Sequence, residues 1–469
     1  MSENSVKLTK NIPVAHTCDV LVVGGGLGGV AAAIASARAG AKTILMERNT
    51  FLGGVATAGH CCSVFNCMFS HDHELLVKGL PFEITQYLAE HAGPGVTWQK
   101  HRGHMIYDVE LGKLALMDMV TESGVKVLLG AACADAIVED GEIRGVVFVG
   151  RNGLEAVSAK RVIDATGDSD VAALAGSTIK TMHGKSTYCF RVGNVDVDKF
   201  IQYFIDHPGE YPDYMDIEWT FDDALAQYRE NGTFLFPHGG GHQLSLVKQA
   251  CADGRFSEVW EDIVAMDAMQ MHAIRKNGTV HFITGFFTLD TLNSDEMSMR
   301  IQQGKRMAVH VTNFLRDTFP GFENCYLCSA GEDLGIRTSR YIEGEYVYES
   351  KMRKSAYRFP DSVGRALIVT SKTLNAGEGA WGCQLLGDDY TEVPLRALLP
   401  TQPAGLIMGA GRSISAQNPG VLRVMVNTMV IGQGAGIAAA VSALENTAIG
   451  ETDYAKIREE LVRQNVYPD

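Results

Sequence analysis

The chain has 469 residues, of which 46% are hydrophobic and 20% are charged, and its formal net charge is −14. This length exceeds one ordinary hydrophobic core and predicts two or three domains. The acidic balance argues against the basic surface that nucleic-acid-binding proteins carry, so no nucleic-acid partner is expected.

The apolar stretches and the cysteines indicate a cytoplasmic protein. Residues 20–35 and 421–444 are the most apolar windows, but glycines interrupt both, which argues against a membrane span and a membrane partner. Residues 1–17 contain no apolar segment before a cleavage site, so no signal peptide is predicted. The ten cysteines are spaced irregularly, as in chains whose thiols stay free in a reducing compartment.

The first predicted elements are a strand, a glycine-rich loop, a helix and a second strand. Residues 19–23 form a short β-branched run typical of a buried parallel strand. Alanine-rich residues 30–39 predict a helix that stops at Gly40. Residues 42–46 predict the second strand, which ends at Glu47. Together they form one βαβ unit of the Rossmann type.

The loop of this unit has the spacing of a dinucleotide-binding motif. Its glycines allow a tight turn, close approach of a pyrophosphate, and packing of the helix on the strand. The free N–H groups at the helix N-terminus favour phosphate. Glu47 follows Gly29 by 18 residues, near the offset of about 20 for the carboxylate that binds a ribose. The predicted cofactor residues are Gly24, Gly26, Leu27, Gly28, Gly29 and Glu47.

Three later segments carry a family resemblance. Residues 48–59 (RNTFLGGVATAG) form a second glycine-rich stretch, where an NAD-dependent dehydrogenase would usually begin another helix. Residues 159–168 read as a strand ending in Ala-Thr-Gly-Asp, and residues 405–412 read as a strand and glycine turn before the apolar stretch 423–436. These segments resemble the flavoproteins of the glutathione-reductase structural type.

Two further blocks narrow the resemblance, which extends over nearly the whole chain. Residues 333–346 (DLGIRTSRYIEGEY) and 392–400 (EVPLRALLP) are similar to the FAD-dependent oxidoreductases related to the succinate dehydrogenase and fumarate reductase flavoprotein subunits. The resemblance implies FAD as cofactor and a helix N-terminus at the pyrimidine end of the flavin. It adds ten cofactor residues: Arg48, Gly53, Gly54, Ala165, Gly167, Asp168, Gly411, Arg412, Val424 and Met425.

The expected fold class is α/β, with a discontinuous Rossmann-type FAD-binding domain and an inserted α+β substrate domain. We assign residues 15–63, 105–185 and 350–445 to the FAD-binding domain. Within it, short strands over 124–149 resemble the small meander of such proteins. Residues 186–349 are assigned to the substrate domain, with 64–104 as an insertion, and residues 446–469 to a C-terminal helix.

The segment from His60 to His73 is the most unusual cluster of reactive side chains. His60, Cys61, Cys62, Cys67, His71 and His73 could ligate a metal, supply an imidazole or thiol to the flavin, or be small buried residues of a turn. The cluster lacks the Cys-x-x-Cys spacing of a zinc site, so no metal is predicted. His60 directly follows the flavin segment and is the first candidate for a catalytic residue.

Arg337, Arg340 and Tyr188 are the other catalytic candidates. The two arginines could clamp a substrate anion, or could pair with Glu343, Glu345 or the flavin segment. Tyr188 and Arg191 are three apart on one predicted strand, so at most one of them would face the flavin.

Two short motifs have both an ordinary and a functional interpretation. Cys325 and Cys328 are read as free structural thiols or as a redox disulfide. The segment from His238 to His242 is read as a surface loop or a mobile lid.

We expect an FAD-dependent oxidoreductase that transfers a hydride between a small polar organic substrate and flavin N5. One alternative is a flavin enzyme without net redox change, an isomerase or lyase that oxidises its substrate transiently. Another is a flavin-carrying subunit of a larger electron-transfer complex, whose relay would lie on a partner. The expected partner is a small-molecule substrate, and a homo-oligomer is left open.

Overall fold

The structure is a computed structural model that describes residues 8–64, 68–70, 73–95, 98–99, 104–212, 220–236, 240–257, 259–260, 263–264, 270–349, 357–367, 369–371, 383–385 and 390–467. Ten α-helices lie in these ranges: α1 Leu27–Arg38, α2 Leu80–His91, α3 Val109–Glu122, α4 Asp170–Leu174, α5 Val197–Asp206, α6 Phe221–Asn231, α7 Ser245–Ala252, α8 Ser294–Thr318, α9 Met425–Glu445 and α10 Tyr454–Arg463.

The strands in the same ranges are β1 Val14–Val23, β2 Thr43–Glu47, β3 Ser63–Val64, β4 Met105–Ile106, β5 Lys126–Leu129, β6 Ala132–Glu139, β7 Glu142–Gly150, β8 Gly153–Asp164, β9 Ile179–Thr181, β10 Lys185–Gly193, β11 Thr233–Leu235, β12 Val259–Trp260, β13 Ile263–Val264, β14 Gln270–Arg275, β15 Val280–Thr288, β16 Tyr326–Ala330, β17 Arg340–Ile342, β18 Ser362–Ala366, β19 Val369–Ser371, β20 Cys383–Leu385, β21 Thr391–Pro394 and β22 Leu406–Met408.

The first large sheet is the Rossmann-type sheet. β1 pairs in parallel with β2 and β8, β2 pairs in parallel with β5, and β8 pairs in parallel with β22. β7 and β6 extend the sheet in antiparallel fashion beyond β8. The parallel strands end at one edge, where Val23 is in register with Met46 and Asp164, and Asp164 with Met408. Ligands of open parallel sheets bind at this carboxyl edge.

The second large sheet is antiparallel, with the order β11-β14-β15-β10-β16. Alternate residues of β10 face opposite sides, because side chains on a strand alternate. Tyr188, Phe190 and Val192 are buried in an apolar cluster that includes Met307 and Val311 of α8.

Two separate apolar clusters divide the described part of the chain. The first combines residues from 18 to 172 with residues from 342 to 467 and includes Leu235, whereas the second uses residues from 188 to 334. Buried residues from 68 to 98 belong to the first cluster, as do Ile457 and Leu461 of α10. The two clusters agree with a separate unit over residues 188–334, but they place residues from 68 to 98 and α10 with the first cluster, so the domain boundaries stay a proposal.

Helices α1 and α9 contact each other through their backbones. A Cβ at Gly432 would lie 2.0 Å from the Gly28 carbonyl oxygen, and one at Gly436 would lie 2.3 Å from that of Ala32. The Ser36 hydroxyl donates to the Gly436 carbonyl at 2.9 Å. Only glycine permits this approach, which fixes α9 on the helix of the glycine loop.

Among the described residues, one helix, α9, is long enough and apolar enough to cross a membrane. However, 83% of its most apolar window is buried inside the fold. Its apolar residues are therefore accounted for by the core contacts with α1.

The expected α/β class and the βαβ unit are confirmed, with differences at particular elements. α1 begins at Leu27 rather than Val30, because Gly28 and Gly29 form its first turn. β6 and β7 form the predicted hairpin. The segment Lys126–Leu129 was expected in the same meander, but it pairs in parallel with β2 and therefore extends the Rossmann sheet. Helix α3, directly before β5 in the chain, belongs to the crossover connection that a parallel strand pair needs.

Replacing Gly432 by alanine tests the contact between α1 and α9. We expect the free energy of unfolding to fall by about 1–3 kcal/mol, because the added methyl group has no space against Gly28. Leu444→Ala, on the exposed side of the same helix, should change it by less than about 0.5 kcal/mol. Urea unfolding measures both, and equal effects would contradict the close approach.

Candidate functional site

A cavity of about 670 Å³ lies at the carboxyl edge of the parallel sheet. Its wall contains the glycine loop, the ends of β1 and β2, the loop after β8 and the turn after β22. Residues far apart in the sequence meet here because the parallel strands end at one edge.

Two helix N-termini adjoin the cavity, where Leu27 of α1 and Met425 of α9 lie on its wall. The N-cap positions Gly26 and Val424 provide no side-chain hydrogen bond, and neither helix has an acidic residue in its first turn. The free N–H groups and the positive dipole ends therefore suit an anion such as a pyrophosphate.

The glycine loop has no space for side chains at several positions, among them Gly24 and Gly29. Gly24 has φ of +105°, and a Cβ there would lie 2.5 Å from the Ala165 carbonyl oxygen. A Cβ at Gly29 would lie 1.8 Å from the Gly24 carbonyl oxygen, so this glycine allows the helix to approach the strand. By contrast, Gly26 faces the cavity, and its Cβ would have no neighbour closer than 4.0 Å. The open side is the one that a ligand needs.

Glu47 is buried at the end of β2 and lies on the cavity wall. One carboxylate oxygen accepts a hydrogen bond from the Gly25 N–H at 2.6 Å, and the other accepts one from the Asn49 N–H at 2.8 Å. The side chain therefore connects the glycine loop to the segment that follows β2.

The Ala165–Asp168 loop is fixed by Asp164. Its Oδ1 accepts from the Thr166 hydroxyl at 2.6 Å and its Oδ2 accepts from the Ala172 N–H at 2.9 Å. Burial raises the pKa of Asp164 to about 6, although these hydrogen bonds lower it. The loop is further held by Arg412, which donates to the Gly167 carbonyl at 2.6 Å and to Asp168 at 3.0 Å.

Of the sixteen predicted cofactor residues, fourteen lie on the cavity wall. Gly29 lies behind the loop, and Val424 is the N-cap of α9. Other residues of the cavity wall lie on elements without a glycine motif and were not among the predicted cofactor residues. They include Ala131, Ala132, Cys133, Ala134, Asn49, Asp170, Asp333, Ile336, Arg423 and Thr428. The sequence pattern of the strand that follows Gly130 could have indicated the first four of these residues.

A second group of polar side chains is buried between the two apolar clusters. His60, at the end of the segment that follows the cavity wall, is 2% exposed and has φ of +53°. Its Nε2 lies 3.4 Å from Oε2 of Glu332. Burial lowers the pKa of His60, and Arg191 and Lys113 lower it further, while Glu332 and Glu110 oppose the shift. The imidazole is therefore mainly neutral near pH 7 and can accept a proton.

His281 and Arg191 face this group from neighbouring positions of β15 and β10. His281 is 1% exposed, and burial, followed by Arg191, His60 and Arg275, places its pKa well below the usual range. Arg191 donates to Asp108 at 3.1 Å and to the Ser329 hydroxyl at 3.2 Å. Asp108 is also the N-cap of α3, so this ion pair links the two clusters.

Three thiols adjoin the same group. Burial raises the pKa of Cys61 to about 11 and raises those of Cys62 and Cys189 further. They are therefore protonated near neutral pH and poor nucleophiles. Arg337 and Arg423 act electrostatically on Cys61, and Arg423 also lies on the cavity wall. The Cys61 N–H donates to the carbonyl of Val55, a residue of the cavity wall, at 3.1 Å, so the buried polar group adjoins the cavity.

The remaining catalytic candidates occupy different places. Tyr188 is fully buried beside α8 rather than on the cavity wall, and its hydroxyl donates to the Gly331 carbonyl at 2.9 Å, so its predicted catalytic role has no support from this position. Of the two candidate residues on β10, Arg191 is the one whose side chain lies in the buried polar group. Arg340 lines the cavity, but it is paired with Asp170 and donates to the Asp168 carbonyl at 2.9 Å. Glu343, one expected partner of Arg340, instead pairs with Lys180 at 2.8 Å.

The other motifs have limited support. Within the described residues, no group of three or more His, Cys, Asp or Glu side chains could hold a metal ion. Cys67, His71, His238 and the side chain of His242 lie outside the described part of the structure. Cys325 is buried, Cys328 is exposed, and both thiols are free.

Comparison with known proteins gives one family. The profile described as FAD dependent oxidoreductase matches residues 19–461. Digeranylgeranylglycerophospholipid reductase 2 of Methanothermobacter thermautotrophicus is 33% identical over 251 residues, which are 50% of this chain and 58% of the relative. A thiamine thiazole synthase of Methanococcus aeolicus is 30% identical over 164 residues, 33% of this chain and 57% of that protein. The chain thus spans little more than half the length of these curated relatives.

One solved structure aligns with more of the chain. It is a geranylgeranyl bacteriochlorophyll reductase-like protein from Thermoplasma acidophilum, 15% identical with a TM-score of 0.40. The alignment covers 96% of this chain and 84% of that one.

The cavity residues fit an FAD molecule. The uncapped N-terminus of α1 suits the pyrophosphate, and the open face of Gly26 allows it to approach. The uncapped N-terminus of α9 suits the electron-rich pyrimidine end of the flavin.

Glu47→Gln tests the role of the buried carboxylate. The amide nitrogen of glutamine would face a backbone N–H, so one of the two hydrogen bonds to Gly25 and Asn49 is lost. We expect FAD affinity to fall about 10- to 100-fold. Glu139→Gln, at an exposed position, should bind FAD like the wild type. Flavin fluorescence titration measures both, and unchanged affinity in Glu47→Gln would contradict this role.

The buried His281 should make stability depend on pH. Its folded-state pKa lies well below the unfolded value of about 6.5, so the unfolded chain binds more protons in acid. Its contribution is complete above about pH 6.5 and is lost below it, by about 1.4 kcal/mol per pH unit. In urea unfolding between about pH 5 and 7, His281→Asn should show a smaller slope. His207→Asn, at an exposed position, should keep the wild-type slope, and equal slopes in all three proteins would contradict this prediction.

Proposed function

The chain belongs to the FAD-dependent oxidoreductase family, and we propose that it transfers a hydride between a small polar organic substrate and N5 of the flavin. It is an enzyme whose cofactor is FAD. When bound, FAD accepts or returns a hydride at N5, while the protein orients the substrate, excludes water and manages the accompanying proton.

The proposed FAD contacts follow the cavity wall. The N-terminus of α1 would hold the pyrophosphate, the N-terminus of α9 would face the pyrimidine end of the flavin, and Glu47 would bind the ribose of the adenosine half. The residues Ala131–Ala134 and the Ala165–Asp168 loop would line the adenosine end. Gly53, Gly54 and Arg423 would lie on the side toward His60 and Cys61, where the flavin is placed in this proposal.

The buried polar group between the two clusters carries the proposal. It lies next to the cavity and contains two neutral histidines and Arg191, all less than 9% exposed. Buried polar groups are costly unless they are paired, and they are often retained for function. A polar substrate bound beside the flavin would provide hydrogen-bond partners for such groups.

The arginines around the buried polar group favour a substrate with negatively charged or partly negative oxygen atoms. The positive charges of Arg191 and Arg275 lower the pKa values of Cys62 and His281. The charge of Arg337 lowers those of Cys61 and Cys189, in each case against or beside the effect of burial. The acidic groups that neighbour His60 and Arg191 are Glu332, Glu110 and Asp108. A substrate with a carboxylate or carbonyl oxygen would be stabilised by the arginines in a site of this kind.

The closer likeness to the succinate dehydrogenase and fumarate reductase flavoproteins is also part of the proposal. It rests on the blocks 333–346 and 392–400. The names of the curated relatives, a lipid reductase and a thiazole synthase, describe different reactions, so neither substrate is assigned to this chain.

Anaerobic reduction of the purified yellow protein tests this function. We expect a polar organic acid or alcohol to bleach the visible flavin absorbance and to form one oxidised product per flavin. Dithionite serves as the control that the flavin can be reduced. Flavin that stays oxidised with every small molecule but is bleached by a protein partner would favour the electron-transfer subunit. Turnover to an isomer without a net redox change would favour the transient-oxidation alternative.

A further inference from the structure

We propose that His60 and Glu332 form a path that exchanges the substrate proton with solvent, and that Lys113 holds Glu332 in place. This inference rests on the proposed function, since hydride removal from an alcohol or amine also releases a proton. The side chain of His60 is 1% exposed, whereas that of Glu332, which it contacts, is 49% exposed and reaches solvent. The side chain of Lys113 is 14% exposed and contacts the other carboxylate oxygen of Glu332.

The inner end of the path is the imidazole of His60. Its Nδ1 is buried and has no hydrogen-bond partner among the described residues. Its Nε2 faces Oε2 of Glu332 at 3.4 Å. The proton of a neutral imidazole is favoured on Nε2, opposite the carboxylate, which leaves Nδ1 as the proton acceptor.

The backbone holds His60 in this orientation. Its φ of +53° lies in the left-handed region, and its N–H donates to the Thr57 carbonyl at 3.0 Å. Such conformations are uncommon outside glycine and cluster at functional sites.

The outer end of the path is fixed by both backbone and charge. The Glu332 N–H donates to the Ala58 carbonyl at 2.8 Å, so the loop that bears the carboxylate is attached to the segment before His60. Oε1 of Glu332 lies 3.2 Å from Nζ of Lys113, which also lies 3.3 Å from Glu110. Because Glu332 is half exposed, it can release a proton to water.

The proton balance of the substrate oxidation follows this order. With FAD bound, the C–H bond of the substrate would break and its electron pair would leave with the hydrogen as hydride to the flavin, while the O–H or N–H proton would move to Nδ1 of His60. The Nε2 proton of the resulting imidazolium moves to Oε2 of Glu332 and from there to water. In substrate reduction each proton step runs in the opposite direction.

The charges around His60 suit this exchange. Arg191 on β10 and Lys113 on α3 are the cationic neighbours of the imidazole, Glu332 and Glu110 are its acidic neighbours, and His281 on β15 is a neutral neighbour. Burial and the cations keep His60 neutral before the reaction. Glu332 is then the contact that stabilises the imidazolium, which forms only during proton transfer.

Glu332→Gln in the FAD-loaded protein tests the path, with Glu343→Gln as a matched control. Glu343 has a similar exposure of 45% and a lysine partner, but belongs to a different ion pair. We expect the His60 pKa, followed by NMR of ¹⁵N-labelled histidine, to fall in Glu332→Gln and to stay unchanged in Glu343→Gln. His60→Asn assigns the signal, because asparagine tolerates the left-handed conformation.

A second readout is the rate of anaerobic flavin reduction at different pH values. Glu332→Gln should slow it about 10- to 100-fold near neutral pH with little change in the substrate concentration for half-saturation. His60→Asn should slow it at least as much. A His60 pKa and a reduction rate that match the wild type in Glu332→Gln would overturn the path. If no small molecule reduces the flavin, the proposed function fails, whereas the NMR titration still decides whether Glu332 controls His60.

Discussion

The backbone contact between α1 and α9 is the constraint on which the site depends. Gly28 and Gly432 meet without space for a side chain, although they are separated by most of the chain. This contact brings the N-termini of both helices to one edge of the parallel sheet. Each N-terminus lacks a capping side chain, so the cavity presents unsatisfied N–H groups from two helices to an anionic ligand.

The second requirement is the junction between the two apolar clusters. Asp108 caps α3 on one side, and its partner Arg191 belongs to the central region of the antiparallel sheet on the other. An ion pair at this depth adds little net stability, but losing one partner is costly. It therefore fixes the relative position of the two sheets, and the polar residues beside it become a buried site next to the cavity.

Burial also decides which chemistry is available at this junction. The thiols of Cys61, Cys62 and Cys189 stay protonated, because burial raises their pKa values. The same burial keeps His60 and His281 neutral. In the described part of the His60–His73 cluster, His60 is therefore a neutral imidazole, whereas the thiols of Cys61 and Cys62 are poor nucleophiles.

The sequence by itself determined the Rossmann-type unit, because the glycine loop and Glu47 are local patterns with local physical causes. The family resemblance added most of the other residues that were predicted for the cofactor and that lie on the cavity wall. Tertiary structure alone decided the rest. It placed Arg191 in the buried polar group and Tyr188 in the apolar core. A strand sequence fixes the alternation of side chains, but it does not say which of the two faces packs against which neighbour. It paired Arg340 with Asp170 and placed Glu332 against His60. Those contacts join residues distant in the chain, and no local spacing encodes them.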